Sequence, residues 1–290
     1  MNTSPDPPSP DVEAAVRRAL AEDLTPFGDL SAALVPADTR TAGAIMARHT
    51  GVLAGTACAA EVFRQVDPSV DVEWIMAEGD RLEPGSVIAT VGGPLAPILT
   101  AERTALNFLS HLSGIASLVA RWVDAAAGGA VIWDTRKTTP GLRTLEKAAV
   151  RAGGGRNHRA NLSDRVMLKD NHLLGTDIAS AVARSRELWP DRIVHVECDT
   201  LEQVSEALSA GADALLLDNM VPDVVREAVG IAHSFGEAGG DMPLLEASGG
   251  ITLETVADYA ATGVDCVSSG SLTQAAPALD IGLDLDRVGP

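Results

Sequence analysis

Apolar residues recur along this chain in two different rhythms, and the rhythm changes near residue 128. Before that point, three-to-four spacing predicts helices and alternating apolar positions predict strands. The predicted helices cover 10–21, 56–66 and 96–127, and the predicted strands cover 41–53, 70–76 and 87–91. Strands with few helices, followed by one long helix, indicate a first domain of α+β type built on an antiparallel sheet.

After Gly128 and Gly129, short apolar runs alternate with helical stretches. One helical stretch, 200–210, begins with a Thr200/Gln203 capping box, and another covers 252–262. The apolar runs cover 131–133, 166–168, 193–196, 215–217, 244–247 and 264–268. A βα unit repeated roughly every 20 to 30 residues is typical of a parallel sheet, so we predict an α/β barrel over about 116–276.

The apolar runs end in polar, charged or glycine residues. In α/β barrels, the carboxyl ends of the strands form the mouth at which the chemistry takes place. We therefore expect five strand ends to meet there. They carry Lys169, Glu197, Asp218, Ser248 and Gly270.

Basic residues concentrate in one stretch of an otherwise acidic chain. The formal net charge is −18, yet residues 134–172 carry nine Lys and Arg against four Asp and Glu. A cationic island in an acidic protein indicates an anionic ligand, with a solvated basic face as the alternative. Arg136 and Arg159 can each grip a carboxylate with two hydrogen bonds, whereas Lys137 and Lys169 act as point charges for phosphate.

Two serine–glycine loops are candidates for phosphate binding. The first stands between a predicted strand and helix, where backbone N–H groups at a helix N-terminus and a hydroxyl can hold an anion. An ordinary turn is the alternative, but a second loop of the same kind follows the next strand, which favours a phosphate grip. The loops consist of Ser248, Gly249 and Gly250, and of Ser269, Gly270 and Ser271.

Glu197 and Asp218 are carboxylates at the ends of two apolar strands. Helix capping or a surface ion pair would also explain them. Beside a phosphate site, two carboxylates suit Mg²⁺, which binds through water and phosphate oxygens rather than in an all-protein cage. We interpret His158 as a donor to a substrate carboxylate and His172 as structural.

Composition excludes several classes of protein. An acidic balance, with a pI of about 4.6, argues against nucleic acid or an anionic membrane as partner. The most apolar long segment, 96–127, carries charges and is predicted to be a helix of a soluble domain rather than a membrane span. Cys58, Cys198 and Cys266 show no CxxC spacing, so we expect no disulfide or zinc site and a reducing cytoplasm.

Long strings of residues resemble one family. They are TRKTTPGLRTLEKAAVRAGGGRNHR, LKDNH, ERTALNFLSHLSGIAS, LLLDNM, EASGGI and APALDIGLDL, and they extend over about 22–285. The chain is similar here to the quinolinate phosphoribosyltransferases. The resemblance implies a type II phosphoribosyltransferase-like α/β fold with an N-terminal α+β open sandwich and an incomplete α/β barrel. We expect a disordered leader at 1–10, a sandwich domain at 11–115 joined by the tail 277–290, and the barrel at 116–276.

The same resemblance implies a reaction and its residues. Phosphoribosyl diphosphate and quinolinate would give nicotinate mononucleotide, diphosphate and CO₂ in a homodimer with shared sites, with Mg²⁺. The substrate-binding residues implied are Arg103 (from the partner subunit), Thr135, Arg136, Lys137, His158, Arg159, Lys169, Glu197, Asp218, Ser248, Gly249, Gly250, Ser269, Gly270 and Ser271. The catalytic residues implied are Lys137, Lys169, Glu197 and Asp218, of which Glu197 and Asp218 would also serve the metal.

One position departs from the family pattern, and three other functions stay open. Gln274 stands where the family commonly has histidine, which puts diphosphate handling in doubt because Gln carries no charge. A related phosphoribosyltransferase-like protein linked to molybdate uptake shares much of the pattern. A phosphate-binding barrel lyase or aldolase would need Lys169 to form a Schiff base. A non-enzymatic binding module would not need acids and bases interleaved around one mouth.

Overall fold

A computed structural model describes residues 6, 7 and 9–286, and the chain groups by its contacts into two units. Among the described residues, the first unit contains those up to 120, 138–154 and those from 272 onward; the second contains 121–137 and 155–271. Of the leader predicted at 1–10, residues 1–5 and 8 lie outside the described residues, whereas Ser9 and Pro10 begin the first helix.

The structure is of mixed α/β type. The helices are α1 (Ser9–Leu24), α2 (Thr56–Val66), α3 (Leu95–Ala126), α4 (Arg143–Ala152), α5 (Ile178–Leu188), α6 (Leu201–Ser209), α7 (Pro222–Glu237), α8 (Val256–Ala260) and α9 (Ser271–Gln274), with 3-10 turns at Ala32–Leu34 and Asp170–His172. The strands are β1 (Arg40–Ala47), β2 (Gly51–Val52), β3 (Asp71–Trp74), β4 (Arg81–Leu82), β5 (Val87–Pro94), β6 (Val131–Trp133), β7 (Val166–Leu168), β8 (Val194–Cys198), β9 (Ala214–Asp218), β10 (Leu244–Ser248), β11 (Cys266–Ser268) and β12 (Ile281–Leu285).

The first unit is built on an antiparallel sheet with the order β12-β1-β5-β3. Its C-terminal strand pairs with β1, with Gly43 opposite Leu285. A side chain at Gly43 would meet the Asp284 carbonyl oxygen at 2.3 Å, so glycine lets these two strands approach. Strand β12, near the C-terminus, is therefore an edge strand of the sheet that β1, β5 and β3 form.

Helix α3 supplies much of the apolar interior of the first unit. Ala105, Leu109 and Leu112 are buried, at the three-to-four spacing of a core-facing stripe. Ser113 and Ser117 on the same helix accept hydrogen bonds from the backbone N–H groups of the β2 region. Within the described part of the chain, no helix is both long and apolar enough to cross a membrane.

Residues 138–154 group with the first unit, which differs from the predicted barrel range of 116–276. The reason is the set of polar contacts around α4. His111 Nε2 lies 3.0 Å from the buried Glu146 Oε1, and Arg18 donates to the Gly141 carbonyl at 3.3 Å. The βα repeat in the sequence could not reveal this grouping, because it reports only the order of elements.

The second unit contains a parallel sheet with the order β6-β11-β10-β9-β8-β7. Helices α5, α6 and α7 connect successive strands, as the βα rhythm predicts. Strands β6 and β7 are the two edges, so the barrel is incomplete and that prediction is confirmed. Beside β6, the Arg156 N–H donates to the Ile132 carbonyl and the Asp134 N–H donates to the Arg156 carbonyl, which places residues 155–159 along this edge.

Helix α6 begins with the predicted capping box: Thr200 and Gln203 each bind the other's backbone N–H. The helix predicted at 252–262 is shorter, because α8 begins only at Val256. Thr255 instead closes a turn in which its hydroxyl accepts the Thr252 N–H at 3.0 Å. The serine–glycine loop before it therefore leads into a turn, and the helix N-terminus expected directly behind that loop was a wrong prediction.

Candidate active site

Strand ends of the second unit lie side by side along one edge of the parallel sheet. The residues just before Lys169 and Glu197 are partners in the pairing of β7 with β8. In the next ladder, Ser248 of β10 is the direct partner of Asp218 of β9. The structure thus brings these four side chains to the carboxyl edge of four adjacent strands, where parallel barrels carry their chemistry.

Two carboxylates and two lysines share this edge. Lys169 Nζ and Glu197 Oε2 form an ion pair. Burial raises the pKa of Glu197, while Lys169 opposes the rise and Asp218 adds to it. Burial likewise raises the pKa of Asp218, against the charges of Lys169 and Lys137. Because both carboxylates are partly desolvated and repel each other, a positive reaction centre or a cation between substrate and protein would be stabilised here.

Asn219, which was not among the residues predicted for the site, holds Asp218 in place. Its Nδ2 donates to Asp218 Oδ2 at 2.5 Å, and its backbone N–H donates to the Ser248 carbonyl at 3.0 Å. A Cβ at Gly249 would lie 2.5 Å from the Asn219 nitrogen, so the two loops meet only because Gly249 lacks a side chain. The available signal was an Asn directly after a strand, since Asn adopts the left-handed backbone found here (φ +55°) more readily than most residues.

Serine hydroxyls connect the two candidate phosphate loops. Ser248 Oγ lies 3.1 Å from Ser268 Oγ, and Ser269 Oγ lies 2.8 Å from Ser271 Oγ. Gly250 adopts φ +63°, with open space where a Cβ would stand. Hydroxyls and an exposed glycine backbone are the groups that hold a phosphate without a basic side chain.

The Lys137 side chain passes over the second of these loops. A Cβ at Gly270 would lie 2.6 Å from Lys137 Cδ, so the glycine makes room for the lysine. At the other end of the residue, Thr135 Oγ1 accepts the Lys137 N–H at 3.0 Å. Lys137 is therefore positioned both by its own turn and by the Ser269–Ser271 loop.

Arginines gather near the end of β6. Burial lowers the pKa of Arg159 most, and the charges of Arg136 and Arg165 lower it further. Arg165, which was not among the residues predicted for the site, is buried with its Cζ 5.6 Å from the centroid of the Trp133 ring. Three guanidinium groups close enough to disfavour one another form a region that an anion would stabilise.

His158 lies in the interior of the second unit rather than at its surface. Its Nε2 is 3.1 Å from Glu246 Oε2, and its Nδ1 accepts the Arg159 N–H at 2.6 Å. The ring of His195 stacks on it with a centroid distance of 5.5 Å. Since Nε2 is engaged with Glu246, donation from His158 to a substrate carboxylate stays a prediction. Glu246 and His195 were missed, although polar residues within apolar parallel strands are a usable signal.

Arg103 belongs to the first unit and is exposed on α3. Its side chain makes no hydrogen bond or ion pair with any other residue that the structure describes. Leu99, one helical turn earlier, is exposed as well. Gln274 is the exposed last residue of α9. The arrangement within one chain therefore leaves Arg103 available for a ligand or for another subunit.

Comparison with known proteins identifies the family of both parts of the chain. The model of the quinolinate phosphoribosyl transferase N-terminal domain matches residues 29–113, and that of the C-terminal domain matches residues 115–284. A relative from Mycobacterium leprae, named nicotinate-nucleotide pyrophosphorylase (carboxylating), is 43% identical over 93% of this chain and 95% of its own. A chloroplastic relative of that name from Arabidopsis thaliana is 39% identical over 97% of this chain and 85% of its own. The solved nicotinate-nucleotide pyrophosphorylase from Francisella tularensis superimposes with a TM-score of 0.91 at 34% identity, covering 99% of this chain and 100% of that one.

Proposed function

Since the chain belongs to the quinolinate phosphoribosyltransferase family, we propose that it joins quinolinate to the phosphoribosyl group of phosphoribosyl diphosphate with loss of CO₂. The products are nicotinate mononucleotide, diphosphate and CO₂, so the enzyme is a pentosyltransferase of NAD synthesis. The observation that carries the proposal is the set of groups at the carboxyl edge of the barrel. Cationic side chains that suit the two carboxylates of quinolinate lie there beside the carboxylates of Glu197 and Asp218 and beside the two serine–glycine loops.

The cations at this edge suit a ring that carries two carboxylates. Arg136 and Arg159 provide planar forks that can bind a carboxylate with two hydrogen bonds, and Lys169 provides a compact charge. Contacts to both carboxylates hold the ring in one orientation, with its nitrogen facing the anomeric carbon. We assign these residues to quinolinate binding, with Thr135 as a further candidate.

Glu197 and Asp218 are placed to stabilise the transition state. As the pyridine nitrogen attacks and diphosphate leaves, the ribose carbon acquires oxocarbenium-like positive charge. Two partly buried carboxylates stabilise such charge better than water would, because their positions are already fixed. Asn219 and Lys169 provide that fixation through their bonds to the two carboxylates. When the neighbouring C–CO₂ bond then breaks, its electron pair stays on the ring carbon, where the adjacent positive nitrogen stabilises it, and a proton takes the place of CO₂ on that carbon.

The phosphate groups of the second substrate suit the two serine loops. We assign the 5′-phosphate to Ser248, Gly249 and Gly250 with the adjoining Ser269–Ser271 loop, where hydroxyl and backbone donors are close together. Lys137 passes over the second loop and neutralises the leaving diphosphate. Gln274, at the end of α9, has no charge to add to this task.

Magnesium is expected to enter with phosphoribosyl diphosphate. The donor set fits it: Glu197 and Asp218 are hard oxygen ligands whose pKa values burial raises, so a cation would relieve the cost of ionising both. These two residues would hold the ion through water or diphosphate oxygens. When bound, Mg²⁺ offsets charge that builds up on the leaving diphosphate.

We further propose a homodimer in which the first unit of one copy covers the barrel mouth of the other. Phe27, Leu30 and Leu34 are 81%, 70% and 85% exposed, and Leu99 and Arg103 are exposed residues of α3. Apolar side chains clustered in this way are typical of an interface. A dianionic ring needs cations on both edges, and Arg103 of the partner subunit would provide the second.

The loops that follow the strand ends support the same arrangement. Leu174 after β7 and Val221 after β9 are exposed apolar residues in loops at the carboxyl edge. In the first unit, α1, α3 and the segment between them line an open cavity of about 600 Å³, and Thr100 of α3 donates to Asp29 of that segment.

The free, buried Cys58, Cys198 and Cys266 accord with a reducing compartment, and we propose the cytoplasm.

Turnover with defined substrates tests the proposed function. Purified protein is incubated with phosphoribosyl diphosphate, Mg²⁺ and either quinolinate or nicotinate, and CO₂ and nicotinate mononucleotide are measured. We expect product from quinolinate and little from nicotinate, which lacks the second carboxylate. No turnover of quinolinate would favour the phosphoribosyltransferase-like protein linked to molybdate uptake. Borohydride trapping of a substrate on Lys169 would instead indicate a lyase or aldolase.

A further inference from the structure

A buried polar cluster lies inside the second unit, one layer below the strand ends. It consists of His158, His195 and Glu246, which are all buried. One ligand atom of each lies within 4.8 Å of the others. Two imidazoles and a carboxylate at such spacing resemble the ligand set of a transition metal. The cluster could therefore either bind a metal or support the residues at the strand ends.

The hydrogen bonds of His158 decide against a metal. Its Nδ1 accepts the Arg159 N–H at 2.6 Å, so a neutral ring carries its proton on Nε2. That Nε2 faces Glu246 Oε2 at 3.1 Å, which is the geometry of an N–H donating to a carboxylate. A metal would need the lone pair of this nitrogen. The cluster is therefore a hydrogen-bonded chain that runs from Glu246 through His158 to the backbone of Arg159.

A second buried carboxylate holds the same segment from the other side. Asp134 Oδ1 accepts the His158 N–H at 2.8 Å, and Asp134 Oδ2 accepts Asn157 Nδ2 at 2.7 Å. Asp134 directly follows β6, whereas Glu246 lies on β10. Residues 157–159 are thus fixed by Asp134 on one side and by the His158 imidazole on the other. The second fixation connects this segment to Glu246 on a different strand.

We propose that Glu246 is a positioning residue for the reaction: through His158 it fixes the backbone at Arg159 and so aims that guanidinium at a quinolinate carboxylate. This inference rests on the proposed function, because it assigns a task to a residue that does not touch the substrate. Arg159 can orient its fork only if its own backbone is held, and the chain of two hydrogen bonds holds it.

The electrostatics of the cluster agree with this task. Burial alone would raise the pKa of Glu246, but the hydrogen bond from His158 keeps that pKa below its ordinary value. The carboxylate is therefore ionised and acts as a strong acceptor. An ionised acceptor also keeps the His158 proton on Nε2, which leaves Nδ1 free to accept from Arg159.

Steady-state kinetics of Glu246→Gln test the proposal. The amide has nearly the shape of the carboxylate but lacks its charge, so the grip on His158 weakens. We expect KM for quinolinate to rise about tenfold while KM for phosphoribosyl diphosphate changes less than about twofold. Glu78→Gln is the matched control. It removes another partly buried carboxylate, which accepts the Thr56 N–H in the first unit, and should leave both KM values unchanged.

A double-mutant cycle separates positioning from general loss of structure. His158→Asn keeps an acceptor near the Nδ1 position but has no atom to reach Glu246. If Glu246 acts through His158, adding Glu246→Gln to His158→Asn should raise KM for quinolinate no further. Additive effects of the two substitutions, or an equal rise in both KM values for Glu246→Gln alone, would overturn the proposal.

Nitrogen NMR of the imidazoles provides a readout that does not depend on turnover. In the wild-type protein, we expect His158 to carry its proton on Nε2 and to remain unchanged when one equivalent of Zn²⁺ is added. A proton on Nδ1, or a Zn²⁺-dependent change in both His158 and His195, would overturn the tautomer and make the cluster a metal site. If wild-type protein fails to turn over quinolinate, the proposed function fails, whereas the tautomer is still judged by this spectrum.

Discussion

His195 should make the folded protein sensitive to mild acid. Its side chain lies on β8 and is fully buried. Burial lowers the pKa of His195 from 6.5 to about 4, although Glu246, with Oε2 3.5 Å from Nε2, opposes the shift. A histidine with a lower pKa in the folded protein takes up its proton preferentially in the unfolded chain, so stability falls as the pH falls.

The size of the effect follows from the two pKa values. Between pH 7 and pH 5, His195 becomes protonated in the unfolded chain but stays neutral in the folded protein. Linkage then predicts a loss of about 2 kcal/mol in the free energy of unfolding over this interval, and about 3 kcal/mol by pH 4. Glu246 should not obscure this, because its pKa lies below the ordinary value of 4.5 and therefore below the interval.

Urea unfolding of the wild type and of His195→Phe at fixed protein concentration measures this loss. Phenylalanine keeps an aromatic ring against His158 but cannot take up a proton. We expect the wild type to lose about 2 kcal/mol more than the variant between pH 7 and pH 5. His49→Phe, which replaces an exposed histidine of the first unit, is the matched control. Parallel pH dependence of the wild type and His195→Phe would refute the reasoning.

Three further predictions concern the site. Arg159→Ala should weaken quinolinate binding by about 2–5 kcal/mol in calorimetry, because a charge-assisted grip is lost, whereas the exposed Arg184→Ala should not; equal affinities of the two variants would contradict the assignment. Excess EDTA with metal-free reagents should abolish turnover and Mg²⁺ should restore it; persistent turnover would contradict a metal role. Mixed subunits of inactive Arg103→Ala and inactive Lys169→Ala should regain activity, approaching one site per heterodimer; confirmed exchange without activity would place Arg103 in its own chain's site.

Element order was predictable from sequence because periodicity depends on local burial. The prediction 56–66 coincides with α2, and 131–133 and 166–168 coincide with β6 and β7. Helix α8 is much shorter than predicted, since the Thr252–Thr255 turn satisfies backbone groups that the pattern assigned to a helix. Turn chemistry of this kind depends on individual hydroxyls, which apolar spacing does not report.

The strand-end residues of the site were predictable, whereas the residues that hold them were not. Lys169, Asp218 and Ser248 follow or end apolar runs, so their position alone indicated an edge. Asn219 and Glu246 each contact a candidate site residue through a single side-chain hydrogen bond. Asn219 contacts Asp218, and Glu246 contacts His158. Which side chain such a residue reaches depends on strand register and on a left-handed backbone, and both are properties of the assembled sheet.

Because side chains alternate along a strand, a residue in the interior of the barrel can lie directly behind a residue at its mouth. Residues two apart on a strand point to the same side, so His195 stands behind Glu197 on β8 and Glu246 stands behind Ser248 on β10. A residue of the deeper layer therefore lies within reach of the groups that support the mouth, as Glu246 does through His158. The barrel can keep its exposed edge rich in charge because a second, buried layer of polar residues fixes the orientation of that edge. Replacing Glu246, the member of this layer that contacts His158, should consequently alter the affinity for quinolinate.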